Sequence, residues 1–185
     1  QWPSSAASDV YKRQELKTLM ARDIQIRIFS KLMVLSSMDP IFFESNSSSD
    51  ERGTVSFTND LNLQKAVRTY KVENSQLKTV RACHGHKVEE KWVNVEQGEF
   101  LVCVVKVDDF NSPSKNSEIQ TYKMSPKDGF LYIPPNFANG AMNLTEDNAI
   151  RYYSSSTLEE SLNDDFRFES DYWDPWSQHS PNFYE

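Results

Sequence analysis

The sequence predicts an all-β fold of the sandwich or barrel kind, on three observations. At 185 residues the chain has room for about one domain plus tails, and so for a single core. From residue 41 onward about ten short apolar or alternating runs follow one another. Turn residues separate them at close intervals, which favours a sandwich or barrel over a doubly wound sheet.

In order, the runs are residues 41–44, 53–57, 66–72, 79–84, 91–95, 100–107, 119–124, 130–133, 141–144 and 149–155. The polar stretch 46–52 breaks the pattern before Gly53, Pro113 interrupts 111–115, and Ser125-Pro126-Lys127-Asp128-Gly129 is a turn sequence. Thr157-Leu158-Glu159-Glu160 has capping-box spacing, a hydroxyl followed three residues later by a carboxylate, and predicts a short C-terminal helix over 157–162. Beyond Trp173 the chain reads as a polar, Pro-containing tail. The domain organisation is thus an N-terminal extension over 1–37, a barrel domain over 38–173 and a tail over 174–185.

Within the extension, Leu16, Leu19, Met20, Ile24, Ile28 and Leu32 have helical spacing and predict a helix over 15–33. Residues 1–14 lack the basic-then-apolar order of a secretory signal and read as non-native sequence, with Met20, Met33 and Met38 as candidate starts.

Composition narrows the function. Aromatics at 12% supply a globular interior, and a net charge of −7 disfavours a nucleic-acid backbone as partner, although a local basic pocket could still hold one diphosphate. No run approaches the roughly 18 apolar residues of a membrane span. Cys83 and Cys103 fall in predicted strands without CxxC spacing, so they read as buried free thiols of a cytoplasmic protein.

The chemistry concentrates in Arg81-Ala-Cys-His84-Gly-His86-Lys-Val-Glu89-Glu90-Lys91. Two imidazoles two positions apart share one face of a strand. They serve either a metal or proton transfer. His-x-His, then Glu and Gly, resembles the first motif of the cupins, small β-barrels that often hold a metal. The second cupin motif brings a further His, where this chain has Asn139 or Asn143. An amide is a weaker ligand for a transition metal, which leaves His84, His86 and Glu89 or Glu90.

Proton transfer needs a base, a donor to a developing oxyanion, and an acid on the opposite face. His84 suits the first role, Lys91 or Asn139 the second, and Tyr152 or Tyr153 the third. Neighbours on a strand point opposite ways, so only one of the tyrosines enters the barrel. Each residue also has a plain reading: structural histidines, surface tyrosines, and a solvated turn at Glu89 and Glu90.

Three segments together resemble the dTDP-4-dehydrorhamnose 3,5-epimerase family of cupins, from about residue 41 to 173. They are Asp50-Glu-Arg-Gly-Thr-Val-Ser-Phe57, Asn74-Ser75 followed by Arg81-Ala-Cys-His84, and Phe130-Leu-Tyr-Ile-Pro-Pro-Asn-Phe-Ala-Asn-Gly140. The resemblance implies a cupin-type jelly-roll barrel, a homodimer, no cofactor or metal, and a nucleotide-sugar substrate carrying dTDP. It also implies a place in deoxysugar and lipopolysaccharide biosynthesis. His84 would remove a proton beside the C4 ketone of a 4-keto-6-deoxyhexose, Lys91 would stabilise the enolate, and Tyr153 would return a proton from the other face. Arg52, Asn74, Arg81, His86 and Asn139 would contact substrate, Arg52 by reaching a partner's site.

Two departures stand out. Asn139 replaces a family histidine, and the C-terminal Leu-Ser-x-Lys-Asp segment, whose Asp orients the catalytic His, is not found before Glu185. His84-Gly85-His86-Lys87 is also similar to the signature of sugar-nucleotide 3,4-ketoisomerases. The expected activity is therefore epimerisation, with ketoisomerisation or noncatalytic sugar binding as alternatives.

Overall fold

A computed structural model describes residues 39–179 and 181–183. The described residues belong to one unit, Met38–Glu185. The helix expected over 15–33 and the three candidate starts lie outside them.

Among the described residues, twelve strands build an all-β jelly roll: β1 Ile41–Asp50, β2 Gly53–Thr58, β3 Arg68–Val72, β4 Thr79–His86, β5 Lys91–Gln97, β6 Phe100–Lys106, β7 Ile119–Met124, β8 Gly129–Ile133, β9 Phe137–Asn143, β10 Ala149–Ser154, β11 Phe166–Arg167 and β12 Asn182–Phe183. One sheet has the order β2-β1-β8-β5-β10-β3 and the other β11-β4-β9-β6-β7, with β12 also on β4. The pairings are antiparallel except β12 with β4.

The inner strands β9 and β6 of the second sheet are buried on both faces, and the sequence of β6 shows how. Phe100, Val102 and Val104 join the core between the sheets, whereas Leu101, Cys103 and Val105 join a second cluster on the outer face. Period-two alternation with apolar residues at every position covers both sides. Trp173 and Trp176 complete the outer cluster, and Trp176 is fully buried. The chain after Trp173, expected as a polar tail, is thus packed against the barrel. Its tryptophans bury large areas, and the indole N–H groups donate to the Ser114 and Ser170 carbonyls.

The polar stretch 46–52, expected as a break, is the end of β1 and the turn into β2. The end of β1 is exposed from residue 46 onward, so no apolar alternation marks it, whereas β2 answers to the run at 53–57. Cross-strand hydroxyl pairs, Ser45 with Thr58 and Ser49 with Thr54 at 2.8 Å each, lie along the backbone ladder instead.

The expected C-terminal helix forms as α1, Leu158–Asn163. Thr157 caps it in a reciprocal box with Glu160. Past its end, Asp164 accepts three backbone hydrogen bonds, from Lys87 and Val88 at 2.9 Å and Glu89 at 3.1 Å. The carboxylate thereby ties the end of α1 to the turn after β4. β11 then runs back along β4, with Arg167 opposite His84.

Candidate active site

A cavity of about 460 Å³ opens between the sheets, lined from β4 by Arg81, His84 and His86. Simple alternation would send Arg81 and His84 to opposite faces. A bulge in β4 prevents this: Arg81 pairs with Ala141 and His84 with Asn139, so Ala82 and Cys83 together face Gly140. Both residues of the bulge pack on the outer cluster, and Arg81 and His84 share the inner face. Gly140 makes room, since a Cβ there would collide with the Ala82 Cβ and approach the Arg81 carbonyl oxygen to 3.1 Å. Gly85 has a similar reason, because a Cβ would stand 3.0 Å from the rings of Phe110 and Phe168.

His84 Nδ1 lies 2.9 Å from Asp165 Oδ1. Partial burial works to raise the Asp165 pKa, but hydrogen bonds from His84 and Arg167 outweigh it and hold the carboxyl below its ordinary range. An ionised carboxylate only accepts, so Nδ1 carries a ring proton, and in the neutral imidazole the lone pair is then on Nε2. The expected absence of an orienting aspartate is corrected here. The carboxylate comes from Asp165, just after α1, within Ser161-Leu-Asn-Asp-Asp165, and not from a segment near the chain end.

Lys91 lines the same cavity at the start of β5, nearly buried, with Nζ 2.7 Å from His86 Nε2. Burial lowers the Lys91 pKa against the pull of Glu89. Burial and then the Lys91 charge lower that of His86. Glu89 is buried rather than solvated, correcting the expected turn; Lys91 and hydroxyl donors at Ser154 and Ser161 overcome the burial penalty and lower its pKa.

On the facing sheet, Tyr152 of β10 lines the cavity and stacks on Tyr70 at 5.0 Å between centroids. Burial raises both phenol pKa values well above the ordinary range. Tyr153, expected as the acid, is not among the lining residues and packs against Phe130 at 6.0 Å. β10 alternates, and the residue that enters is Tyr152. Asn74 and Asn139 also line the cavity; Asn74 accepts from Arg81 Nε at 2.8 Å, and Asn139 donates to the His84 carbonyl at 3.0 Å. Arg52 does not line it: it stands at the exposed tip of the β1–β2 hairpin, paired with Asp50.

Sequence reasoning missed Asp165, Arg68 and Tyr70, and it offered Glu89 only as a metal ligand or part of a solvated turn. The Asp-Asp pair directly after a capped helix was a usable signal for the first. For Arg68, Tyr70 and Glu89 nothing local marks the role, because their partners are distant in sequence. Among the described residues no group of three His, Cys, Asp or Glu is arranged to hold a metal ion.

The family model for dTDP-4-dehydrorhamnose 3,5-epimerase matches residues 35–172. The chain belongs to this epimerase family. No curated protein sequence matches it. The crystal structure of the Bacillus anthracis dTDP-4-dehydrorhamnose 3,5-epimerase, with TDP and PPi bound, superposes with a TM-score of 0.63 at 20% identity, covering 79% of this chain and 89% of its own. The Sulfolobus tokodaii epimerase gives 0.63 at 21% identity, covering 80% and 87%. QdtA, a sugar 3,4-ketoisomerase from Thermoanaerobacterium thermosaccharolyticum in complex with TDP, gives 0.53 at 17% identity, covering 77% and 98%. These likenesses show that this member of the epimerase family has the jelly-roll fold common to both enzyme types. No helix among the described residues is long and apolar enough to cross a membrane.

Proposed function

We propose that this chain epimerises a dTDP-linked 4-keto-6-deoxyhexose, without a metal, by removing and returning a proton beside the ketone. The observation that carries the reading is the His84–Asp165 pair at 2.9 Å on the wall of a cavity that also holds Lys91 and Tyr152. Asp165 keeps the His84 Nε2 lone pair free, which makes His84 the base. The enolate oxygen takes its hydrogen bond from Lys91, whose charge acts strongly because the side chain is buried. Tyr152 comes from the other sheet and serves as the acid on the far side of the ring. Its high pKa keeps the phenol protonated until a carbanion needs it.

Arg81, Asn74 and Asn139 suit the contacts to the nucleotide diphosphate and sugar, and His86 acts through Lys91. The reading without metal is supported by His86 Nε2, the lone pair a metal would need, which already faces the Lys91 ammonium. Arg52 belongs to a homodimer reading: the exposed hairpin also carries Val55 and Phe57, 67% and 43% exposed, as a surface for a second copy. The buried thiols of Cys83 and Cys103 suit the cytoplasm.

One observation favours ketoisomerisation as a second reading. His84 and His86 line the cavity side by side from one strand face. Two imidazoles on the same side could pass a proton between adjacent ring atoms. Incubation with dTDP-4-keto-6-deoxyglucose and NMR of the product tests both: a C4 ketone with inverted neighbours supports epimerisation, a C3 ketone supports the second reading, and binding without turnover rejects both.

A further inference from the structure

His86 is held between opposite charges. Its Nε2 lies 2.7 Å from the Lys91 ammonium, and its Nδ1 lies 3.2 Å from Glu89 Oε2, near but out of line for a hydrogen bond. Glu89 Oε1 is 4.0 Å from Lys91 Nζ. The Glu89 side chain is wholly enclosed and accepts from Ser154 at 2.6 Å, Ser161 at 2.7 Å and Arg68 at 3.1 Å. Nothing in the reaction as derived above uses this carboxylate.

The arrangement decides where the protons are. An ammonium has only donors, so it can approach Nε2 at this distance only if that nitrogen carries a lone pair. The ring proton is then on Nδ1, the side that faces Glu89. A neutral amine beside an imidazolium would carry the same total charge. However, the ordinary pKa values of Lys and His differ by about 4 units, which assigns the proton to Lys91.

We propose that Glu89 is a positioning residue, a buried counter-charge that keeps Lys91 an ammonium and the His86 ring proton on Nδ1, so that Lys91 presents only donors to the cavity. Other charged groups act on the pair without replacing Glu89. Asp164 Oδ2 is 4.0 Å from His86 Nδ1 but is engaged by three backbone N–H groups. Asp165 is engaged by His84 and Arg167, and the Arg68 charge opposes that of Lys91. Glu89 is the carboxylate within 4.0 Å of both members of the pair. The protonation pattern stands by itself; its catalytic consequence rests on the function proposed above.

The test follows the His86 ring nitrogens of the whole chain by ¹⁵N NMR, with Lys91→Met as probe because an apolar side chain of similar length removes the buried charge without leaving a new one unpaired beyond Glu89. In the unaltered protein the ring is neutral at neutral pH with its proton on Nδ1. In Lys91→Met, Glu89 takes an imidazolium as its partner and His86 becomes protonated at neutral pH. In the double variant Lys91→Met/Glu89→Gln it stays neutral. A proton on Nε2 in the unaltered protein, or a ring that remains neutral in Lys91→Met, overturns the proposal. In turnover assays Glu89→Gln lowers kcat/KM on the alkaline side, about tenfold for each unit by which the Lys91 pKa drops. An unmoved alkaline limb overturns the catalytic part. Absence of turnover in the unaltered protein rejects the proposed function while leaving the NMR outcome decisive.

Discussion

His84 and Asp165 stand 81 positions apart in the chain and meet at 2.9 Å, imidazole Nδ1 to carboxylate Oδ1. Two devices bring them together: the β4 bulge turns His84 inward, and the Asp164 carboxylate, pinned on the backbone of Lys87, Val88 and Glu89, presents the next residue to the ring.

If Asp165 sets the ring tautomer, Asp165→Asn slows turnover while leaving nucleotide-sugar affinity nearly unchanged. Removing the base outright, as His84→Asn, lowers kcat by about 10²–10⁴-fold. Steady-state kinetics with calorimetric binding separates the two effects, and equal loss of binding in both variants would contradict the assignment.

The tyrosines separate cleanly. Tyr152→Phe removes a cavity phenol and is expected to slow turnover by about 10²-fold or more. Tyr153→Phe keeps the Phe130 contact and leaves the rate as it was. Comparing kcat of the two variants checks the assignment.

Crowding at the bulge predicts a stability effect with a functional echo. Gly140→Ala sets a methyl group against Ala82, and overpacking of this kind costs about 1–3 kcal/mol. Because the same strand segment aims Arg81 and His84 into one cavity, substrate binding falls as well. Urea unfolding and ligand titration measure both.

Stability should rise with pH from acid toward neutral. Asp165 and Glu89 have folded pKa values below those of the unfolded chain, so their contribution is present above about pH 4 and lost as pH falls through the folded values. His86 is also lowered; the unfolded chain therefore binds more protons, and stability again increases with pH through its range near 6.5. Thermal unfolding followed between acid and neutral pH should show this slope, and it should be shallower in Glu89→Gln.

The final segment is part of the folded body. Trp176→Ala is expected to destabilise by about 3–5 kcal/mol, as for a large buried aromatic elsewhere. A change near zero in chemical denaturation would show that the segment contributes little.

Much of this was legible in the sequence because it follows local rules. Short apolar runs marked β6 and β10, the Thr157 to Glu160 spacing marked α1, and the two-residue offset put His84 and His86 on one face. In the exposed hairpin, β2 and the start of β1 were read as strand runs, but the rest of β1 was read as a break because a solvated, Ser-rich strand carries no apolar signal. Glu89 escaped for the opposite reason. A carboxylate in a polar turn looks solvated until its partners, Arg68, Ser154 and Ser161, are brought in by pairings 21, 65 and 72 residues away. The choice between Tyr152 and Tyr153 depended on strand phase, which one residue of register reverses.

The most direct measurement is solvent deuterium incorporation into a dTDP-linked 4-keto-6-deoxyhexose in D₂O, followed by NMR for the unaltered protein and for His84→Asn. The account predicts deuterium at carbon beside the ketone with the former and none with the latter. No exchange in the unaltered protein, or equal exchange in both, would contradict it.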